Sequence, residues 1–195
     1  MPRYNADDVY CIPGSAVLKN KAGITNQELL DEYEADFTAI RILELAQAPV
    51  EGNFDLTHLC KIHEYLFQDV YEWAGEIRSV DIIRGESRFC NVRQIQSYSN
   101  TVFSALAAED YLNNLESTAL ACRLAHYLSE INAIHPFREG NGRVQRLFIS
   151  QLAEQAGYRL DYSALDQEEI YSVMQSSFLG NENPLASLIL KIINC

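Results

Sequence analysis

One short segment collects most of the side chains in this chain that could do chemistry. Residues 135–146 read HPFREGNGRVQR, with a Gly-Asn-Gly turn followed by Arg143 and Arg146. A glycine turn at a helix start leaves backbone N–H groups unpaired beside the positive end of the helix dipole, which attracts an anion. Arginines three residues apart project from one side of a helical turn, and their planar guanidinium groups bind phosphate oxygens in pairs. The segment therefore predicts a phosphate-binding turn.

The same segment supplies a base and an acid. Glu139 lies among positive groups, and a carboxylate beside bound phosphates is a common ligand for Mg²⁺. His135 precedes Pro136, which favours a helix end at this point, and a neutral imidazole can accept a proton from a hydroxyl group. The side-chain amide of Asn141 adds a polar group to the turn. Together these residues indicate attack of a hydroxyl group on a nucleoside triphosphate.

The elements that must position this segment are mainly helices. Apolar residues recur at helical spacing in several stretches, and Thr25, Asp55 and Pro184 are suitable helix starts. The predicted helices cover about 25–49, 55–67, 95–106, 120–134, 142–157, a stretch ending at Gly180, and the stretch from Pro184. Alternation and a turn predict one β-hairpin over residues 77–92. We interpret residues 1–15 as an irregular N-terminal arm.

Composition narrows the class of protein. The length of 195 residues favours a single domain over residues 1–195. The net charge of −12 argues against direct nucleic-acid binding. No apolar run reaches the roughly 20 residues that span a bilayer, so we expect no membrane partner. The five cysteines form no C-x-x-C pair, which is typical of thiols in a reducing compartment. Cytosolic synthesis is the expectation.

Residues 135–146 resemble the signature of the Fic (Fic/Doc) family, H-P-F-x-[D/E]-G-N-G-R-x-x-R, at every constrained position. The resemblance extends to VYEWAGEIRSVDI upstream and QLAEQAGYRL downstream, and it covers nearly the whole chain. It implies an all-α Fic fold, a helical bundle with one small β-hairpin (the flap) beside the active-site loop. Most members transfer AMP from ATP to a protein hydroxyl group, so the resemblance implies a protein adenylyltransferase.

The resemblance also implies roles for the residues of the motif. His135 would deprotonate the Tyr, Thr or Ser hydroxyl group of the target protein, and Glu139 would hold Mg²⁺ between phosphates of ATP. Asn141 would stabilise charge at the α-phosphate together with backbone N–H groups of the turn. The nucleotide-binding residues implied are Gly140, Asn141, Gly142, Arg143 and Arg146, with both arginines on the outer phosphates. Phe137 would be a core residue.

Two further regions are assigned by resemblance. The flap would pair through its backbone with an extended segment of the target, and the docking residues would be Val80, Asp81, Ile82 and Ile83. The adenine pocket would lie near Tyr171, Gln175 and Asn181, although a plain helix surface is a comparable interpretation for these three residues.

Many Fic proteins carry an inhibitory helix with the pattern [S/T]-x-x-x-E-[G/N], and this chain lacks that pattern. The resemblance is therefore to the class that a separate small helical antitoxin inhibits, with the antitoxin glutamate docking at Arg146. A bacterial, cytoplasmic toxin of a toxin–antitoxin pair is the expected biology.

Several alternatives remain open at this point. The chain could be the Fic domain of a secreted effector that modifies host proteins. It could use another donor, such as UTP or a phosphocholine compound, or transfer the γ-phosphate. A non-enzymatic binding module that uses the flap alone is the rival from a different class, and it predicts that His135→Ala leaves the biological effect unchanged.

Overall fold

The architecture is a bundle of helices around one apolar core. The computed structural model describes residues 8–84 and 87–194. In those residues there are seven α-helices: α1 Gln27–Gln47, α2 Leu56–Phe67, α3 Ile95–Ala108, α4 Ser117–Ile134, α5 Asn141–Gln155, α6 Gln167–Phe178 and α7 Asn183–Ile192. None of these helices is long and apolar enough to cross a membrane. The all-α prediction is confirmed.

Two helix starts show how the local sequence sets the boundaries. The Asp55 side chain accepts a hydrogen bond from the backbone N–H of His58 at 2.8 Å, as expected for the start of α2. The start of α1 differs from the prediction, because Asn26 and not Thr25 is the N-cap. The Asn26 side chain accepts from the backbone N–H of Leu29 at 3.0 Å. Asn and Thr are both good caps, so the sequence pattern left the start uncertain by one residue.

The flap hairpin is present but its strands are displaced from the prediction. β1 Ile83–Arg84 pairs antiparallel with β2 Ser87–Arg88, and residues 85–86 between them lie outside the described residues. Residues 77–82, which alternate like a strand, form no ladder. Asp81 instead accepts from the backbone N–H of Val92 at 2.8 Å, so a side chain holds the two legs together there.

A second two-stranded pairing was not predicted. β3 Arg159–Leu160 pairs antiparallel with β4 Ile193–Asn194. This pairing holds residues 193–194 against the segment that follows α5. Two residues per strand are too few to give a periodic signal. The described part of the predicted arm, from Asp8 onward, forms turns and a single bridge between Cys11 and Leu18; residues 1–7 of that arm lie outside the described residues.

The core positions the motif between two central helices. Leu124, Ile131, Phe148 and Ile149 of α4 and α5 have no exposed surface or almost none. Residues 135–140 connect the two helices and leave the end of α4 facing the start of α5. A loop of this length between buried helices has few alternative conformations, so the motif is held by the core on both sides.

Candidate active site

A cavity of about 270 Å³ opens beside the motif, between α4, α5, α6 and α7. Leu128, Leu185 and Ile189 supply part of its apolar wall, whereas His135 and Arg146 are charged or titratable groups at its edge. An apolar cleft with a few convergent polar groups is the usual form of a small-molecule site. The geometry therefore brings the predicted base and one predicted phosphate ligand to the same cavity.

His135 ends α4 in the left-handed region, with φ 48° and ψ 59°. Its ring stacks on Phe89 at 3.7 Å between centroids, and its Nδ1 lies 3.3 Å from the carbonyl oxygen of Asn132. A carbonyl oxygen can only accept, so this contact favours the tautomer with the proton on Nδ1 and the basic lone pair on Nε2. Phe89 was missed by sequence reasoning, because it reaches the site from the far leg of the flap.

The Gly-Asn-Gly turn is shaped by two contacts. The Asn141 side chain accepts from the backbone N–H of Phe137 at 3.0 Å and donates to the carbonyl of Phe137 at 2.8 Å. Gly140 has φ +77°, and a Cβ there would lie 2.1 Å from the Phe67 ring. The amide of Asn141 thus closes the loop on itself through both its oxygen and its nitrogen. The role predicted for Asn141 at the α-phosphate remains a prediction.

Arg146 extends into the cavity without an acidic partner among the residues at 8–84 and 87–194. Its guanidinium folds back over the start of α5, where a Cβ on Gly142 would be 3.4 Å from Nη1. Burial lowers the pKa of Arg146. A desolvated guanidinium beside the positive end of a helix is costly unless an anion binds there.

Arg143 has different surroundings. Its guanidinium pairs with the buried Glu34 and donates to Thr38 Oγ1 at 3.2 Å, and it lies 4.8 Å from the centroid of the Phe67 ring. Tyr71 also donates to Glu34, and burial, followed by the charge of Glu34, raises the pKa of Tyr71. Arg143 therefore contacts α1, whereas Arg146 lines the cavity. Their spacing of three residues had predicted that both would project from the same side of the helix.

Glu139, in the loop that precedes α5, lies beside the buried His63 of α2. One Glu139 carboxylate oxygen accepts from the backbone N–H of Gly140 at 2.9 Å. His63 is fully buried, as expected for a core histidine, and its Nε2 lies 3.2 Å from the Glu139 carbonyl. The backbone N–H of Gly75 donates to His63 Nδ1 at 2.8 Å. Phe137 stacks on His63 at 4.0 Å and is buried, as predicted.

The regions assigned by resemblance are only partly brought to the cavity. Tyr171 and Gln175 of α6 line it, whereas Asn181 follows α6 and donates its backbone N–H to the carbonyl of Ser176 at 3.1 Å. Gln145, which sequence reasoning passed over, lines the cavity with a buried Nε2 that has no acceptor among the described residues.

The four flap residues predicted to dock the target differ in exposure. Asp81 and Ile83 are exposed, and Val80 and Ile82 are half-buried. The carbonyl of Ile82 accepts from the backbone N–H of Phe89 at 3.3 Å. The docking role predicted for these four residues remains a prediction.

Comparison with known proteins shows the family of this chain. Residues 53–153 match the Fic/DOC family. The chain is 44% identical over 195 residues to probable protein adenylyltransferase y4lH of Sinorhizobium fredii, covering 99% of this chain and all of that protein. It is 42% identical over 184 residues to protein adenylyltransferase VbhT of Bartonella schoenbuchensis, covering 94% of this chain but only 38% of that longer protein.

Solved structures give the same result for the fold. The BepC protein of Bartonella tribocorum with bound AMPPNP superposes with a TM-score of 0.89 at 26% identity, covering 95% of this chain and 96% of that one. The Fic domain of a Bartonella quintana effector with bound ADP gives the same score at 31% identity, covering 95% and 94%. This chain belongs to the Fic/DOC family, and the Fic fold predicted from the motif is confirmed.

Proposed function

We propose that this chain is a protein adenylyltransferase that transfers AMP from ATP to a hydroxyl side chain of a target protein. The observation that carries the proposal is the Arg146 guanidinium, which has no acidic partner among residues 8–84 and 87–194 and lines the same cavity as His135. Such a site suits a polyphosphate next to a base. The relatives named protein adenylyltransferase and the neighbours that hold AMPPNP or ADP support ATP as the donor.

The reaction follows from the placement of His135. Nε2 accepts the proton of the target hydroxyl group, whose oxygen forms a bond to the α-phosphorus. The bond between that phosphorus and the bridging oxygen breaks, and pyrophosphate leaves with the electron pair. Backbone N–H groups at the start of α5, including those of Asn141 and Gly142, stabilise the charge that develops on the α-phosphate oxygens.

The two arginines contribute unequally in this proposal. Arg146 binds the outer phosphates directly because its guanidinium already faces the cavity. Arg143 was predicted for the same role, and its ion pair with Glu34 makes it the weaker ligand of the two. The unpaired Gln145 Nε2 is a donor for an acceptor atom of the nucleoside.

Glu139 is the residue we propose for Mg²⁺. Its carboxylate is oriented by the Gly140 N–H, next to the turn that would hold the phosphates, and carboxylate oxygen is a ligand that Mg²⁺ favours. When bound, the ion would neutralise phosphate charge in the transition state.

The biology proposed is that of a cytoplasmic bacterial toxin held inactive by a small antitoxin whose glutamate pairs with Arg146. The lack of an acidic partner for Arg146 within the described ranges supports this docking position. The secreted-effector alternative is favoured by a separate observation, because several structural neighbours are effectors described as VirB-translocated.

The activity is tested by label transfer in a bacterial lysate with α-³²P-ATP and, separately, γ-³²P-ATP. We expect a protein band from the α-label alone, lost in His135→Ala, while ATP affinity stays within about threefold because the imidazole acts in the chemical step. His126→Ala is the matched control, since His126 lies on the same helix and is partly exposed away from the cavity. Equal transfer by His135→Ala would overturn the mechanism, and a γ-label band would indicate phosphotransfer.

The antitoxin position is tested with a synthetic helical peptide that contains S-x-x-x-E-G. We expect it to inhibit the wild type, and we expect a Glu→Gln peptide to bind at least tenfold more weakly, as loss of a charge-assisted pair of about 1.5–3 kcal/mol requires. Arg146→Ala should abolish the difference between the two peptides. A persistent difference would place the glutamate elsewhere.

A further inference from the structure

Arg78 is a fully buried arginine that the motif does not include. Its residue surface is 1% exposed. Nε donates to the carbonyl of His135 at 2.8 Å, Nη1 donates to the carbonyl of Val80 at 2.7 Å, and Nη2 donates to the carbonyls of Cys90 and Ile134. One guanidinium therefore meets four backbone carbonyls that belong to three separate segments.

Two of these segments are the legs of the flap. Val80 precedes β1 and Cys90 follows β2, so Arg78 joins the two legs at their base. The backbone N–H of Cys90 also donates to the carbonyl of Ala133 at 2.9 Å, which attaches the return leg to α4. Within the described ranges the nearest acid is Asp81, at 3.8 Å and more than half exposed, so carbonyl groups provide the closer contacts to the buried charge.

The third segment is the end of α4, where His135 has an unfavourable backbone conformation. A non-glycine residue in the left-handed region costs about 1–2 kcal/mol and persists only where neighbouring contacts hold it. Arg78 provides two of those contacts, because its side chain binds the His135 carbonyl and its backbone N–H donates to the Pro136 carbonyl at 2.9 Å. The ring of Phe89, which follows β2 of the flap, stacks on the imidazole at 3.7 Å between centroids.

We propose that Arg78 is a positioning residue that fixes the His135 imidazole relative to the flap and does not itself touch the nucleotide. This inference rests on the proposed function, since it assumes that His135 acts on a target held at the flap. Arginine suits this position and lysine does not, because the planar guanidinium directs five N–H groups along separate lines and an ammonium group has three donors at one point.

The test compares wild type, Arg78→Lys and the control Arg41→Lys. Arg41 makes a bidentate ion pair with Asp69, at 2.7 and 3.0 Å, on the surface of α1. We expect Arg78→Lys to lower kcat for AMP transfer by about 30- to 300-fold, as misplacement of a reacting group by about 1 Å does, while ATP Kd stays within threefold. Arg41→Lys should leave kcat within twofold of the wild type.

A second readout does not depend on activity. The chain has four histidines, so the His135 Hε1 proton resonance is assigned by its loss in His135→Ala. In Arg78→Lys we expect that resonance to shift or split while the resonances of His58 and His126 keep their positions. A merely structural role would move all of them or none.

Three results would overturn the proposal. They are a kcat within threefold of the wild type, a loss of ATP binding or of folding that parallels the loss of kcat, and an unchanged His135 resonance. If the wild type itself transfers no label, the proposed function fails, and the His135 resonance in Arg78→Lys still decides whether Arg78 holds the imidazole.

Discussion

The substitution Gly140→Ala is the sharpest test of how the phosphate turn is built. The residue has φ +77°, and a Cβ would lie 2.1 Å from Phe67 Cζ and 2.3 Å from Cε2. The left-handed backbone costs about 1–2 kcal/mol for alanine, and overpacking in a tight core typically adds about 1–3 kcal/mol. We therefore expect the free energy of unfolding to fall by about 2–5 kcal/mol.

Gly157→Ala is the matched control for the backbone contribution. Gly157 follows the same helix, has φ +90°, and has no atom within 4 Å of an added Cβ. The substitution should lower the free energy of unfolding only by the cost of the left-handed backbone, about 1–2 kcal/mol. Both variants are measured by urea denaturation, and the difference between them, about 1–3 kcal/mol, is the contribution of the contact with Phe67.

The clash also has a consequence for activity. Ordinary contact begins near 3.4 Å, so the turn or the ring must move by about 1.3 Å (3.4 minus 2.1) to accept the methyl group. A displacement of that size at a catalytic turn costs about 100-fold in rate, whereas Gly157→Ala should transfer label at the wild-type rate. Adding Phe67→Leu to the Gly140→Ala variant should relieve the clash, and the double-mutant cycle should show a coupling energy of at least about 1 kcal/mol. If Gly140→Ala lowers the free energy of unfolding no more than Gly157→Ala does, the turn is not packed against Phe67.

Three further expectations follow from the same contacts. Arg146→Ala should weaken ATP binding by about 10- to 100-fold in calorimetry, the loss expected for a charge-assisted contact of about 1.5–3 kcal/mol. Arg143→Ala should instead lower the unfolding midpoint, because it removes the cation that pairs with the buried Glu34 carboxylate. The reverse pattern would contradict the separation of the two guanidinium groups. Glu139→Gln should raise the Mg²⁺ concentration for half-maximal transfer by at least tenfold, and an unchanged Mg²⁺ titration would place the ion on other residues. Burial holds the pKa of His63 at about 3, against about 6.5 in the unfolded chain. Below about pH 6.5 the unfolded state therefore takes up a proton that the native state excludes. The free energy of unfolding should fall as the pH drops from about 6.5 towards 3. The loss between pH 7 and pH 5 is about 2 kcal/mol, and urea titrations of a His63→Gln variant should show a flatter dependence.

The position of the candidate site was predictable because its residues lie in one continuous segment. His135, Glu139, Asn141 and Arg146 occupy residues 135–146, and residue type and spacing alone indicated a base, a metal ligand and a phosphate turn. The helices were predictable for a related reason, since apolar periodicity over ten or more residues is a strong local signal.

Contacts between distant segments could not be predicted in this way. Glu34 meets Arg143 across 109 positions of sequence, and Arg78 meets His135 across 57. Neither pair has a spacing rule, because packing of helices in three dimensions decides which residues meet. The same reason explains the misplaced strands of the flap, where bonds made by Arg78 and Asp81 replace the ladder expected from alternation.

The polar groups around the motif divide into those already bonded and those left for a ligand. Asn141, Arg143 and His63 are each bonded within the protein, so the turn is fixed before any nucleotide arrives. Arg146 lines the cavity with no acidic partner in the described part of the chain. A transition state is stabilised most by donors that need no reorganisation at the moment of reaction. A desolvated guanidinium with no acidic partner in the described ranges is costly until an anion binds beside it. We therefore expect the phosphates of ATP and the carboxylate of the proposed inhibitor to compete for Arg146.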